Sequence, residues 1–159
     1  MAVVRFVHVA PTGIVFAGRN GLDFIDLRSA VIRIPEVSRR IREAQNILDS
    51  LEVESIDLLG RITSDNEIFF KNIKIKSLLS AIVQVGLYDR LVRTQRVPDT
   101  LVGNGNGDSA LLVCAGQTTF EQMVRNSPAL LTLQPKEAPE SNVAPAAVSG
   151  MINLLPGFS

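Results

Sequence analysis

The order of apolar and polar residues predicts two short strands at the start of the chain. Apolar residues alternate with Arg5 and His8 over residues 3–9, and a second apolar run, Ile14-Val15-Phe16, follows Pro11-Thr12-Gly13. Alternation with a period of two is typical of half-buried strands, and a Pro/Gly segment between two such runs indicates a turn. The sequence therefore predicts an N-terminal β-hairpin.

Helical spacing begins at Pro35, because proline is favoured at the first position of a helix. Apolar residues after it recur every three or four positions, and charged residues occupy the other side. These apolar residues are Val37, Ile41, Ala44, Ile47, Leu48 and Leu51. We expect an amphipathic helix here, a short helix over residues 56–62 and a longer, more buried helix over residues 77–93.

A glycine-rich turn lies between the next predicted strand and helix. Pro98-Asp99 ends the long helix, and residues 100–102 predict a strand. The turn Gly103-Asn104-Gly105-Asn106-Gly107 then leads into a helix over residues 108–115, for which Gly116 is a suitable C-terminal cap. Strands that alternate with helices predict an α/β layer fold.

The composition changes after a last helix, which is expected over residues 119–124 with Thr118 or Thr119 near its cap. Beyond it, prolines, alanines and glutamates resemble a linker, with a short apolar tip that either docks on a partner or covers the body. The sequence thus predicts a domain over residues 1–128 and a Pro/Ala-rich tail over residues 129–159.

Composition narrows the classes of function. The chain has 159 residues, enough for one domain, and its 16 basic and 16 acidic residues cancel, so neither a nucleic-acid nor an anionic-membrane partner is expected. Charged residues interrupt every apolar run before the roughly 18 residues of a membrane helix. One cysteine, one histidine and no signal-peptide pattern predict a cytoplasmic protein without disulfide, metal or cofactor.

Several sequence blocks match a family pattern when they are taken together. They are Asp26-Leu27, Pro35-Glu36-Val37, Val85-Gly86-Leu87-Tyr88, Pro98-Asp99, residues 103–116 and Phe120-Glu121 with Val124-Arg125. In this combination the chain resembles the malonyl-CoA:acyl-carrier-protein transacylases and the acyltransferase domains of fatty-acid and polyketide synthases. The resemblance covers about residues 13–127, the family's N-terminal half. It implies a truncated, α/β-hydrolase-like core with short parallel strands flanked by helices.

The family's nucleophile elbow reads G-H-S-L-G-E, and this chain departs from it at the decisive position. Gly105 occupies the place of the nucleophilic serine, while Asn104 replaces the histidine and Asn106 continues the turn. Arg19 lies where the family's F-P-G-Q loop has glutamine. The resemblance therefore implies no catalytic residue in this degenerate elbow. It leaves ligand contacts at Arg19, Gly105 and Asn106 as an expectation.

Other parts of the catalytic apparatus are also expected to be missing. The family's base histidine belongs to its later half, beyond the end of this sequence, and its carboxylate-binding arginine falls near Leu130. Ser109 is one helical turn beyond Gly105, so its Cβ is expected roughly 5–6 Å away. Cys114 is expected to be a small buried apolar residue. Neither side chain restores a triad.

The glycine-rich turn has two further interpretations. It lacks the Lys-Ser/Thr of a P-loop and the G-x-G-x-x-G spacing, so a nucleotide site is weakly indicated. The helix that follows could hold an anion at its N-terminus, although Asp108 opposes this. The simplest interpretation is that the glycines preserve an inherited tight turn.

The leading hypothesis is a catalytically inactive acyltransferase-like binding or scaffold module, with an acyl carrier protein or a synthase component as its partner. The alternative is an acyltransferase subunit whose site is completed by another chain. A divergent fragment without a biochemical role is a third possibility. Since strands from the family's later half would be absent, we also expect the N-terminal hairpin to supply a strand, and a homo-oligomer or heteromeric partner to cover the remaining apolar surface.

Overall fold

The computed structural model describes residues 3–5, 13–16, 22–95, 97–98, 100–103 and 108–136. Helices make up most of this part of the chain, and three short strands form one sheet. The strands are β1 (Val3–Arg5), β2 (Gly13–Phe16) and β3 (Thr100–Gly103). The helices are α1 (Ile25–Val31), α2 (Pro35–Asp49), α3 (Leu58–Ile62), α4 (Asn66–Phe69), α5 (Ile73–Thr94), α6 (Asp108–Cys114), α7 (Phe120–Arg125) and a 3₁₀ helix (Pro128–Thr132). The architecture is α/β only in a coarse sense, because the helices dominate it.

The sheet corrects the predicted hairpin. The order of its strands is β1-β3-β2, so β1 and β2 lie on opposite sides of β3 and do not pair with each other. In β1, Val3 lies opposite Val102 in antiparallel register; in β2, Ile14 lies opposite Leu101 in parallel register. The apolar alternation identified both strands, but it carries no information about their partner. Residues 6–12 of the predicted hairpin lie outside the described residues.

Helices α2 and α5 pack against each other and form the centre of the core. The apolar face predicted for α2 is buried, since its first five predicted members are each at most 9% exposed. Gly86 of α5 permits the close approach, because a Cβ there would lie 2.6 Å from Cα of Val37. Beside this contact, the buried carboxylate of Glu36 pairs with Arg90 and Arg93 of α5.

Helix α5 begins four residues earlier than the sequence pattern indicated. The side chain of Asn72 caps it, because Oδ1 accepts hydrogen bonds from the backbone N–H groups of Lys74 and Ile75 at 3.0 and 3.2 Å. Such a cap satisfies donors that have no partner within the helix. Asn72 also donates to Thr132 Oγ1 at 2.9 Å, so the same residue joins α5 to the 3₁₀ helix.

The start of the predicted tail contacts the body. Val53 and Pro135 form an isolated antiparallel bridge, and the backbone N–H of Lys136 donates to the carbonyl of Glu52 at 3.1 Å. Residues 137–159 lie outside the described part of the chain, and the division at residue 128 stays a prediction. Within the described ranges, no helix has both the length and the apolar character required to cross a membrane.

Candidate functional site

The candidate site lies where β3 ends and α6 begins. Gly103, the last residue of β3, is buried against the first turn of α6. A Cβ at Gly103 would lie 2.5 Å from Oδ1 of Asp108 and 3.0 Å from Cδ2 of Leu111. A side chain at Gly103 would therefore require the Asp108 side chain to move, and Cα of Asp108 itself lies 3.2 Å from the Cβ position. This close packing is what a sharp strand-to-helix turn requires of its flanking residues.

The residues between these elements are not described. Asn104, Gly105, Asn106 and Gly107 lie in the gap between residues 103 and 108, and Arg19 lies in the gap between residues 16 and 22. Their predicted roles in the degenerate elbow and in ligand binding stay predictions. The structure places only the two ends of the turn, and it puts them close together.

Asp108 faces the strand. Its Oδ1 is buried and has no hydrogen-bond partner among the described residues, and it occupies the space beside Gly103. The helix that it opens has seven residues. The positive N-terminal end of the helix dipole stabilises a carboxylate in the first turn. This arrangement opposes the alternative in which α6 holds an anion at its N-terminus.

A pocket of about 470 Å³ lies between α5, α6 and α7, at the start of the 3₁₀ helix. Its volume falls in the range of about 300–1,000 Å³ that is typical of small-molecule sites. Polar and apolar side chains share its lining. The lining residues are Lys74, Ser77, Leu78, Ala81, Ser109, Leu112, Thr118, Gln122, Met123, Asn126, Ser127 and Pro128. Ser109, the residue next to Asp108, connects this pocket with the β3–α6 turn.

Several polar groups of the pocket already have partners in the fold. Oε1 of Gln122 accepts hydrogen bonds from the backbone N–H of Thr119 at 3.2 Å and from Oγ1 of Thr118 at 3.0 Å, as part of the cap of α7. The hydroxyl of Ser127 accepts from the backbone N–H of Ala129 at 3.2 Å. These contacts hold one wall of the pocket in place.

Cys114, at the end of α6, is poorly suited to act as a nucleophile. The free thiol is half-buried and packs against the core. Burial raises its pKa to about 12, and the nearby carboxylate of Asp89 acts in the same direction, whereas Arg40 opposes both. Since the thiolate is the reactive form, this cysteine stays protonated and unreactive at neutral pH.

A charged cluster that the sequence did not reveal holds the helices behind the site. Arg40 of α2 donates to Asp89 of α5 at 2.6 and 3.3 Å, and its guanidinium lies 4.7 Å from the ring centre of Phe120 in α7. Burial lowers the pKa of Arg40, but its hydrogen bonds and ion pairs with Asp89 and Glu43 outweigh burial and raise it overall. Residues 40, 89 and 120 are too far apart in the sequence for a periodic pattern to reveal this contact.

One comparison with known proteins finds a relative of part of the chain. It is 34% identical over 106 residues to the highly reducing polyketide synthase otaA of Aspergillus niger. The match covers 67% of this chain and 4% of the synthase, so the chain spans a small part of that protein's length. No family model and no solved structure matches the chain. The chain is thus similar to one segment of a polyketide synthase.

Proposed function

We propose that this chain is a catalytically inactive, acyltransferase-like binding module that acts in polyketide or fatty-acid synthesis. The observation that carries the proposal is the glycine at position 105, in a strand–turn–helix sequence that otherwise follows a nucleophile elbow. The short distance between Gly103 and Asp108 supports the elbow interpretation. Similarity to a segment of a polyketide synthase supports the pathway.

The expected loss of activity follows from the chemistry of acyl transfer. Ping-pong transfer needs a nucleophile, a base that activates it and donors for the oxyanion. Gly105 has no side chain, and the sequence has one histidine, His8. Ser109 lies in the first turn of α6, four positions after Gly105 in the sequence, so it does not stand at the nucleophile position of the elbow pattern.

The proposed partner is an acyl carrier protein or another synthase component. This partner comes from the family resemblance and from the similarity to a polyketide synthase. A module that keeps the turn but not the nucleophile would bind without accepting the acyl group. The competing proposal, a site completed by another chain, differs because it requires a covalent acyl intermediate.

Intact-mass measurement after incubation with malonyl-CoA, with and without a lysate of the native host that supplies other chains, separates these proposals. We expect no mass increase for the wild-type chain, for Gly105→Ser or for the matched control Gly105→Ala. Serine alone is not expected to restore transfer, because it would still lack a positioned base. Malonylation of Gly105→Ser, but not of Gly105→Ala, would show that the rest of the site is functional.

An affinity pull-down from the native host, with the captured proteins identified by mass spectrometry, tests the binding half of the proposal. Capture of an acyl carrier protein or a ketosynthase is the expected result. If both are absent while other proteins are captured reproducibly, the proposed role in a synthase is wrong.

A further inference from the structure

The pocket between α5, α6 and α7 has an apolar side that three helices build together. Leu78 and Ala81 of α5 and Met123 of α7 are buried, and Leu112 of α6 is 40% exposed. Removal of apolar surface from water stabilises a complex. A short aliphatic chain in this pocket would gain that stabilisation, mostly from Leu112 and from the chain itself.

The described residues that line the pocket carry only positive charge. Lys74 is its one cation, and none of the described residues that line it is acidic. Of the carboxylates on α6 and α7, Asp108 faces Gly103, and Glu121 pairs with Arg125 at 2.7 Å. Such a lining favours an anionic group over a cationic one.

Lys74 is available to a ligand. Its side chain is exposed and has no ion pair among the described residues, whereas Lys76, two positions further on, pairs with Asp23 at 2.6 Å. The hydroxyl of Ser109, which is also exposed, lines the same pocket from α6 and can donate a hydrogen bond.

We propose that this pocket binds a medium-chain aliphatic carboxylate. The chain contacts Leu78, Leu112 and Met123, while the carboxylate pairs with Lys74 and accepts a hydrogen bond from Ser109. Binding is non-covalent. The inference rests on the pocket lining and goes beyond the proposed function, because neither Gly105 nor the family resemblance enters it.

Titration with octanoate tests this inference, with the ¹³C-labelled methyl group of Met123 as the reporter. The chain has three methionines, and Met123 is the one among the described residues, so Met123→Leu assigns its signal. We expect a saturable shift of this signal with octanoate. 1-Octanol, which has the same chain without the charge, is expected to bind about fivefold more weakly, as suits an exposed ion pair.

Two lysine variants show whether the charge of Lys74 is responsible. Lys74→Met should weaken octanoate binding about fivefold and remove the preference over octanol. Lys71→Met, at a neighbouring exposed lysine outside the lining, is the matched control and should change neither affinity. Leu112→Gln should weaken both ligands.

The inference is overturned if octanoate produces no saturable shift at Met123, or if octanoate and octanol bind equally well. It is also overturned if Lys74→Met binds octanoate like the wild type. Each of these results leaves the malonylation experiment unaffected, so failure of this inference is distinguishable from failure of the proposed function.

Discussion

Arg28 shows how a single buried side chain holds short helices together, since it lies in α1 and its partners lie in or beside α3 and α4. It donates to the backbone carbonyls of Leu22 at 2.8 Å and of Ile62 and Ser64 at 3.0 Å each. Its guanidinium also lies 4.0 Å from the ring centre of Phe69. Burial lowers the pKa of Arg28, although nearby carboxylates oppose this. A buried charge is tolerated only when its donors are used in this way.

Replacing Arg28 with methionine should therefore destabilise the protein strongly. Arg28→Met leaves three backbone carbonyl oxygens and Oδ1 of Asn66 without their donor. We expect a loss of about 3 kcal/mol in the free energy of unfolding. Urea denaturation measures this loss. The matched control Arg33→Met, at an exposed position, should stay within about 0.5 kcal/mol of the wild type. Similar losses in both variants would contradict the role given to Arg28.

Cys114 gives a prediction about pH. Its pKa is about 12 in the folded protein, against 9.0 for an ordinary thiol. The thiol is neutral in both states below about pH 9, so its contribution to stability is fully present there. As the pH rises from about 9 to 12, the unfolded chain ionises first and this stability is lost.

Alkylation measures the same difference directly, because the chain has one cysteine. At pH 8.5 iodoacetamide should modify Cys114 in the native protein roughly several hundredfold more slowly than in urea, since the thiolate is the reactive form. Equal rates in the two conditions would mean that the thiol is not held in the protonated form by the fold.

At the scale of elements, the crossing of α2 and α5 depends on Gly86. Gly86→Ala would place a methyl group 2.6 Å from Cα of Val37, a backbone atom that cannot move without shifting α2. Overpacking of this kind costs about 1–3 kcal/mol, and alanine regains up to about 1 kcal/mol in helix propensity. We expect a net loss of about 1 kcal/mol in the free energy of unfolding, measured by urea denaturation.

The matched control for Gly86→Ala is Leu87→Gln, at the exposed neighbouring position, which should have a smaller effect. Equal or higher stability of Gly86→Ala would show that the helices have room at this crossing.

The elements that the sequence predicted well are those with local signals. Pro35 and the apolar spacing located α2, and Thr119 caps α7 through a reciprocal pair of hydrogen bonds with Gln122. Gly116 follows α6 with a positive φ of 78°, a conformation that suits glycine. Each signal lies within a few residues of the feature that it predicts.

The features that the sequence did not predict depend on contacts between distant residues. Both edge strands were found, but their common partner β3 follows almost a hundred residues after β1, so the hairpin was the wrong pairing. Helices α1 and α4 are short and lack a clear apolar period. They are joined by Arg28 of α1, which donates a hydrogen bond to Oδ1 of Asn66 in α4. No local pattern in the sequence marked Lys74 as a site residue, because the pocket that it lines is completed by residues of α6 and α7.

At the scale of the whole molecule, the sheet is small and mixed. β2 pairs with β3 in parallel, and β1 covers the other edge of β3 in antiparallel register. This pairing agrees with the expectation that the N-terminal segment supplies a strand. The expected homo-oligomer or heteromeric partner stays a prediction. The outer edges of β1 and β2 have no strand partner among the described residues, and uncovered edges invite further pairing.

We propose that the molecule binds an acyl carrier protein but does not take the acyl group from malonyl-CoA. Native mass spectrometry of the chain with a cognate carrier protein and malonyl-CoA tests both parts in one measurement. We expect a non-covalent complex in which this chain keeps its unmodified mass. A malonylated chain, or no complex at concentrations where a control acyltransferase binds the carrier protein, would contradict it.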